Sequence, residues 1–164
     1  MADEVLASVR ASSPRRGFGV FVLGSLGVML IYLAFASPPA GLGFQLMLIG
    51  FGIGALVLTA KMWQATQLAM ELTPEALRLS DGTVLTPTDK IVSIDRGMFA
   101  FKPSHGFTLK LAGKTPAGWH PGMWWRFGKR LGVGGVTPGA QTKIMADVIS
   151  AMIASRSENT DYPQ

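Results

Sequence analysis

The chain has 164 residues, of which 48% are apolar and only 15% are Asp, Glu, Lys or Arg. A typical soluble domain carries about 25% charged residues, so this composition, with its mean hydropathy of +0.32, excludes intrinsic disorder and argues against an ordinary soluble globule. Cysteine is absent, which excludes disulfides and thiolate chemistry, while the formal net charge of +5 points to an anionic partner such as lipid headgroups, nucleic acid or an acidic protein face.

Residues 1–16 form a polar leading segment that ends in Arg15 and Arg16. Two uncharged runs follow, residues 17–36 and residues 41–60, with Gln45 the only strongly polar side chain in the second. At 1.5 Å per residue, twenty residues of helix cross the roughly 30 Å hydrocarbon core of a bilayer. Buried helices of a soluble bundle normally keep a polar stripe, and neither run has one. Residues 17–62 are therefore predicted to form a transmembrane helical hairpin. Its link, Ser37-Pro38-Pro39-Ala40, places two prolines at the water interface, where a missing N–H is tolerated.

Arg10, Arg15 and Arg16 precede the first run, the link is uncharged, and Lys61 follows the second. The positive-inside rule then predicts both termini in the cytoplasm, in a multi-pass inner-membrane arrangement. A cleaved signal peptide is the alternative, with Ala34-Phe35-Ala36 as an A-x-A site and Arg15-Arg16-Gly17-Phe18 as an echo of a twin-arginine signal. The run is longer than the usual h-region, and Asp3 and Glu4 precede it, which weighs against cleavage. Lys61 and Trp63 mark the cytoplasmic boundary of the second span. Within that span Gly50 and Gly54 form a G-x-x-x-G pair, and Gly43 lies near the same face. These glycines are candidates for helix–helix packing, either inside the hairpin or against a partner membrane protein.

From about Leu68 the apolar period becomes two. Leu77 and Leu79 alternate with Arg78 and Ser80, Asp81-Gly82 is a favoured hairpin turn, and Thr83–Thr86 continues as a strand. Ile91–Arg96, Phe99 with Phe101, and Phe107–Leu111 read as further strands, the last two joined by a turn over Pro103–Gly106. Short strands are expected near Trp119, over Trp124–Phe127 and over Leu131–Val136. A helix is predicted from Thr137, the cap, with Pro138 at the first helical position, to about Ser155. Its apolar side is read as Ile144, Val148, Ile149, Met152 and Ile153, and residues 156–164 as a flexible polar tail.

The fold class is therefore an α+β membrane protein: a two-helix transmembrane hairpin followed by a small antiparallel β domain, residues 68–155, closed by a C-terminal amphipathic helix. The stretch Leu72-Thr73-Pro74-Glu75-Ala76-Leu77-Arg78-Leu79 followed by Asp81-Gly82, with the strand run and terminal helix after it, resembles the opening of pleckstrin-homology-like (PH-like) domains. The chain resembles bacterial membrane proteins in which two transmembrane helices precede such a domain. That resemblance implies a membrane-apposed binding or scaffolding module and brings no catalytic residues.

Catalytic chemistry needs a matched set of groups, and the sequence offers none. His105 and His120 are the only histidines, no metal-ligand spacing occurs, and Gly132-Val133-Gly134-Gly135 lacks the rest of any nucleotide fingerprint. No catalytic, metal or cofactor site is expected. The charge distribution is more informative. Residues 96–146 contain eight Lys or Arg and no acid, together with three of the four tryptophans. Trp119, Trp124, Trp125, Arg126, Lys129 and Arg130 are the candidate contact residues, for an anionic membrane surface or a protein partner. A tryptophan filling the core beside solvated cations is the plain alternative. The expected role is a non-catalytic accessory, scaffold or assembly protein of a larger membrane complex. The competing role is an anionic-phospholipid-binding module, with no nucleic-acid partner and a homo-oligomer left open.

Overall fold

Ala7–Val9, ahead of the first apolar run, forms a strand, β1. The sequence pattern did not announce it. The computed structural model describes residues 4–96 and 105–160. The two apolar runs each make one long helix, α1 over Ser13–Ala36 and α2 over Leu42–Ala65. Both are 24 residues long, about 36 Å at the helical rise. Helix α1 begins earlier than expected because Pro14 fits its first turn. Helix α2 runs past Lys61 and stops at Thr66, whose hydroxyl donates to the Met62 carbonyl at 2.7 Å.

The helices pack on each other through Gly27 and Gly52. A Cβ on either would lie 3.0 Å from the other's carbonyl oxygen, so only glycine allows this approach. Near the far end Gln45 donates its amide N–H to the Ala34 carbonyl at 2.9 Å, which satisfies the one strongly polar group in the second run. The remaining faces expose large apolar side chains, among them Phe18, Phe21, Phe35 and Phe51. Both helices are long and apolar enough to cross a membrane.

The strands form two antiparallel sheets. The first has the order β1, β2 (Met70–Leu72), β3 (Ala76–Leu79) and β4 (Val84–Pro87). Val9 pairs with Met70 and Ala7 with Leu72, so the whole helical hairpin is inserted between two neighbouring strands. A single 3-10 turn over Thr88–Lys90 leads to β5 (Ile91–Asp95). With β6 (Phe107–Leu111), β7 (Gly118–His120), β8 (Trp124–Phe127) and β9 (Arg130–Val133) it makes a second sheet, ordered β5-β6-β9-β8-β7. The strand expected through Phe99 and Phe101 lies outside the described residues.

Helix α3 spans Gly139–Thr160 and packs on β1 and β5. One core joins the layers, including Val9, Met70, Leu77, Phe107, Leu109, Leu131, Met145 and Ile149. Three expectations for this helix need correction. Thr137 is fully buried, but its hydroxyl has no hydrogen-bond partner, so it does not cap α3 with its side chain. The buried stripe is set by Met145, Ala146 and Ile149, and Ile144 is exposed. The helix also continues beyond Ser155, because Arg156 is drawn down onto the carbonyls of Thr88, at 3.0 Å, and Asp89, at 3.3 Å.

Candidate functional site

Three residues link β1 to α1, and four link α2 to β2. Such short links hold the β module directly against one end of the hairpin, and several contacts fix it there. Ser12 N–H donates to the Val136 carbonyl at 2.8 Å, and Arg15 donates to the Thr137 carbonyl at 3.0 Å. The Arg16 guanidinium lies over the Trp63 ring, 4.7 Å from its centroid, and reaches the Thr66 carbonyl at 3.5 Å. Trp63 is half-exposed and Lys61 exposed, one turn before the chain leaves α2. These two residues, expected as boundary anchors, stand where the apolar surface ends and the β module begins.

The candidate contact residues separate by parity along β8. Trp124 and Arg126 point inward. Trp124 is 5% exposed and belongs to the core, where its ring stacks on His120 with centroids 4.6 Å apart. Arg126 crosses from the second sheet to the first, donating to the Leu85 carbonyl at 2.5 Å and the Pro116 carbonyl at 2.7 Å. The fold therefore uses both residues internally, as the plain alternative required of one tryptophan.

Trp125 and Phe127 point the other way. The register aligns Ser93, Lys110, Arg130 and Phe127 in one cross-strand row, and Asp95, Thr108, Gly132, Trp125 and Trp119 in the next. Both rows lie on the face opposite Leu109 and Leu131, since side chains alternate across a strand. The Trp125 indole covers Gly132, where any side chain would collide with the ring. Phe127 is 75% exposed and Trp119 60% exposed. Lys110, Lys129 and Arg130 are exposed beside them. The outer face of this sheet thus combines aromatic rings with cations, with the carboxylate of Asp95 at its β5 edge. Phe127 and Lys110 were not among the candidates. Strand alternation from Trp125 and pairing across the Gly128-Lys129 turn are the signals that lead to them.

Not every cation of the acid-free stretch is available. Arg96 is bound to Asp147 at 2.5 Å and to Ser150 at 2.8 Å, and Lys102 lies outside the described residues. His105 lies against Gly139 at the start of α3, and the half-buried His120 stacks on the core residue Trp124. Among the described residues no group of three or more His, Cys, Asp or Glu could hold a metal. One carboxyl is displaced from its ordinary range. The backbone N–H of Thr83 donates to Asp81 at 2.9 Å and holds its pKa low, with the charge of His120 a minor contributor.

The three glycines of α2 singled out for packing do not meet α1. A Cβ on Gly43, Gly50 or Gly54 would find open space, and the hairpin contact is made by Gly27 and Gly52 instead. Gly52 lies about 200° around the helix from Gly50 and Gly54. Turning Gly52 inward therefore turns the other two outward. Neither a family model, nor a curated protein, nor a solved structure matches this chain.

Proposed function

We propose that this protein is a non-catalytic, membrane-anchored accessory protein that holds a PH-like β module at the cytoplasmic surface of a bacterial inner membrane. The hairpin is the anchor, and a larger integral membrane complex is the partner. The observation that carries this reading is the insertion of the hairpin between paired strands β1 and β2. A module joined by such short links is held at a set height and angle, which suits a scaffold better than a domain searching on a flexible tether. The exposed apolar faces of α1 and α2 suit hydrocarbon, in which such side chains cost nothing. Pairing of β1 with β2 supports a topology with both chain ends on one side, and the flanking Arg10, Arg15, Arg16 and Lys61 favour the cytoplasm.

The outward face of Gly43, Gly50 and Gly54 is the surface proposed for lateral docking. Purification in mild detergent should then recover a stoichiometric membrane partner, and Gly50→Leu or Gly54→Leu should reduce that recovery. Recovery of the chain alone would refute the accessory reading. Reporter fusions at Gln164 test the topology, and a periplasmic signal would refute it.

A second reading, binding of anionic phospholipid, is favoured by the aromatic and cationic outer face of the β5–β9 sheet. Tryptophan rings settle at headgroup depth, and each nearby Lys or Arg contributes about 1 kcal/mol on an anionic surface. Vesicle binding that is equal for neutral and anionic lipid would count against it.

A further inference from the structure

Between the last turns of α2 and the β7–β8 turn lies a cleft of about 330 Å3 whose walls include Lys61, Gln64, Leu68, Trp119 and His120. Its composition is mixed. Leu68 gives an apolar side, Lys61 a cation, Gln64 an amide, and Trp119 an indole that is mostly exposed. The cleft opens where the apolar surface of α2 ends, at the depth of lipid headgroups if the hairpin spans a bilayer.

His120 adds a second, independent observation. Its Nδ1 is buried, exposing less than 1 Å2, and has no hydrogen-bond partner. Stacking on Trp124 fixes the ring. The ring of this cleft-lining residue therefore has a nitrogen that the fold leaves without a partner.

Several of the last carbonyls of α2, which would face an anion with partial negative charge, are already engaged as acceptors. The Met62 and Trp63 carbonyls accept from the Thr66 hydroxyl at 2.7 and 3.2 Å, the Gln64 carbonyl accepts from Gln67 N–H at 3.2 Å, and the Thr66 carbonyl accepts from Arg16. Asp81, whose charge interacts weakly with that of His120, is already engaged by Thr83.

We propose that this cleft binds a phosphodiester, with Lys61 as the pairing cation, Gln64 and His120 as donors, and Trp119 against the adjoining carbon skeleton. The expected source is an anionic phospholipid of the leaflet in which α2 ends. Free phosphate shares the charged chemistry but has nothing to lay against Leu68 and Trp119. The inference rests on the membrane-anchor reading above and is independent of any lateral partner.

The test uses the full chain. Flotation with phosphatidylcholine vesicles first establishes anchoring, and failure to float would refute the anchor reading itself. The chain in neutral detergent is then titrated with short-chain phosphatidylglycerol and, separately, with inorganic phosphate, following tryptophan fluorescence. We expect a saturable response to the lipid, weakened roughly fivefold in Lys61→Gln and preserved in Lys61→Arg and in the remote Lys143→Gln. Trp119→Ala should weaken the response to the lipid as well. Lys61 and Trp119 are exposed, so these substitutions leave the core intact. Equal Lys61-dependent responses to lipid and inorganic phosphate would support the phosphate site and assign its source to free phosphate. A chain that floats yet titrates identically in wild type and Lys61→Gln would overturn the cleft and leave the anchor standing.

Discussion

The value of β1 can be measured at one side chain. Val9 is fully buried between β2 and α3, while its neighbour Ser8 is exposed on the other side of the strand. Val9→Ala removes two methyl-sized groups from the core. At about 0.8 kcal/mol per buried CH2 that is roughly 1.6 kcal/mol, and the cavity left behind brings the loss to about 2 kcal/mol. Ser8→Ala should stay within about 0.5 kcal/mol of wild type. For a module of this size 2 kcal/mol corresponds to a fall in Tm of roughly 8–15 °C. Trp124, in the same core, provides the fluorescence signal for thermal unfolding of the full chain in detergent. If Val9→Ala and Ser8→Ala unfold together with wild type, β1 does not belong to the sheet, and the fixed-scaffold argument fails with it.

Three further outcomes follow from other contacts. Gly52→Leu should loosen the helical hairpin, because any Cβ there meets Ile31 and the Gly27 carbonyl, whereas Gly50→Leu should leave it intact; crosslinking between paired cysteines introduced into α1 and α2 reads the difference. Arg126→Ala strands the Leu85 and Pro116 carbonyls, and should cost about 1.5–3 kcal/mol in denaturant unfolding, with Arg126→Lys restoring only part of it. Asp81 has a lowered pKa in the folded chain, so its contribution to stability is present above its ordinary value of 3.8 and is lost as pH falls through the lower folded value. Acid unfolding of Asp81→Asn should accordingly lack that part of the pH dependence, and an unchanged acid limb would refute the Thr83 hydrogen bond as its cause.

The helical hairpin was legible in the sequence because length and lack of charge suffice to specify it. The alternation of Leu77 with Leu79, and of Phe107, Leu109 and Leu111, likewise announced strands whose inner faces are buried. Other features depend on partners far away in the chain. Ala7–Val9 is too short to show a period, and its meaning comes only from Met70 and Leu72 across the hairpin. The G-x-x-x-G spacing of Gly50 and Gly54 marks a smooth helix face without saying what lies against it. Which face meets α1 is decided by Gly27, whose counterpart is Gly52. In α3 the choice between Ile144 and Met145 is a rotation of 100°, and β1 and β5 settle it through packing.

The Trp124–Arg130 segment shows how one short hairpin serves two environments. Had Trp124 and Arg126 faced outward with Lys129 and Arg130, the two sheets would lose both the ring in their core and the guanidinium that joins β8 to the Leu85 carbonyl. A shift of one residue in β8 would exchange the inward pair for Trp125 and Phe127, and would take the Trp125 indole off Gly132, the position it covers. The register is thus fixed from both faces at once. Because the inner face is committed to folding, the outer row and the cleft beside α2 are left outside the core, and these two surfaces share Trp119.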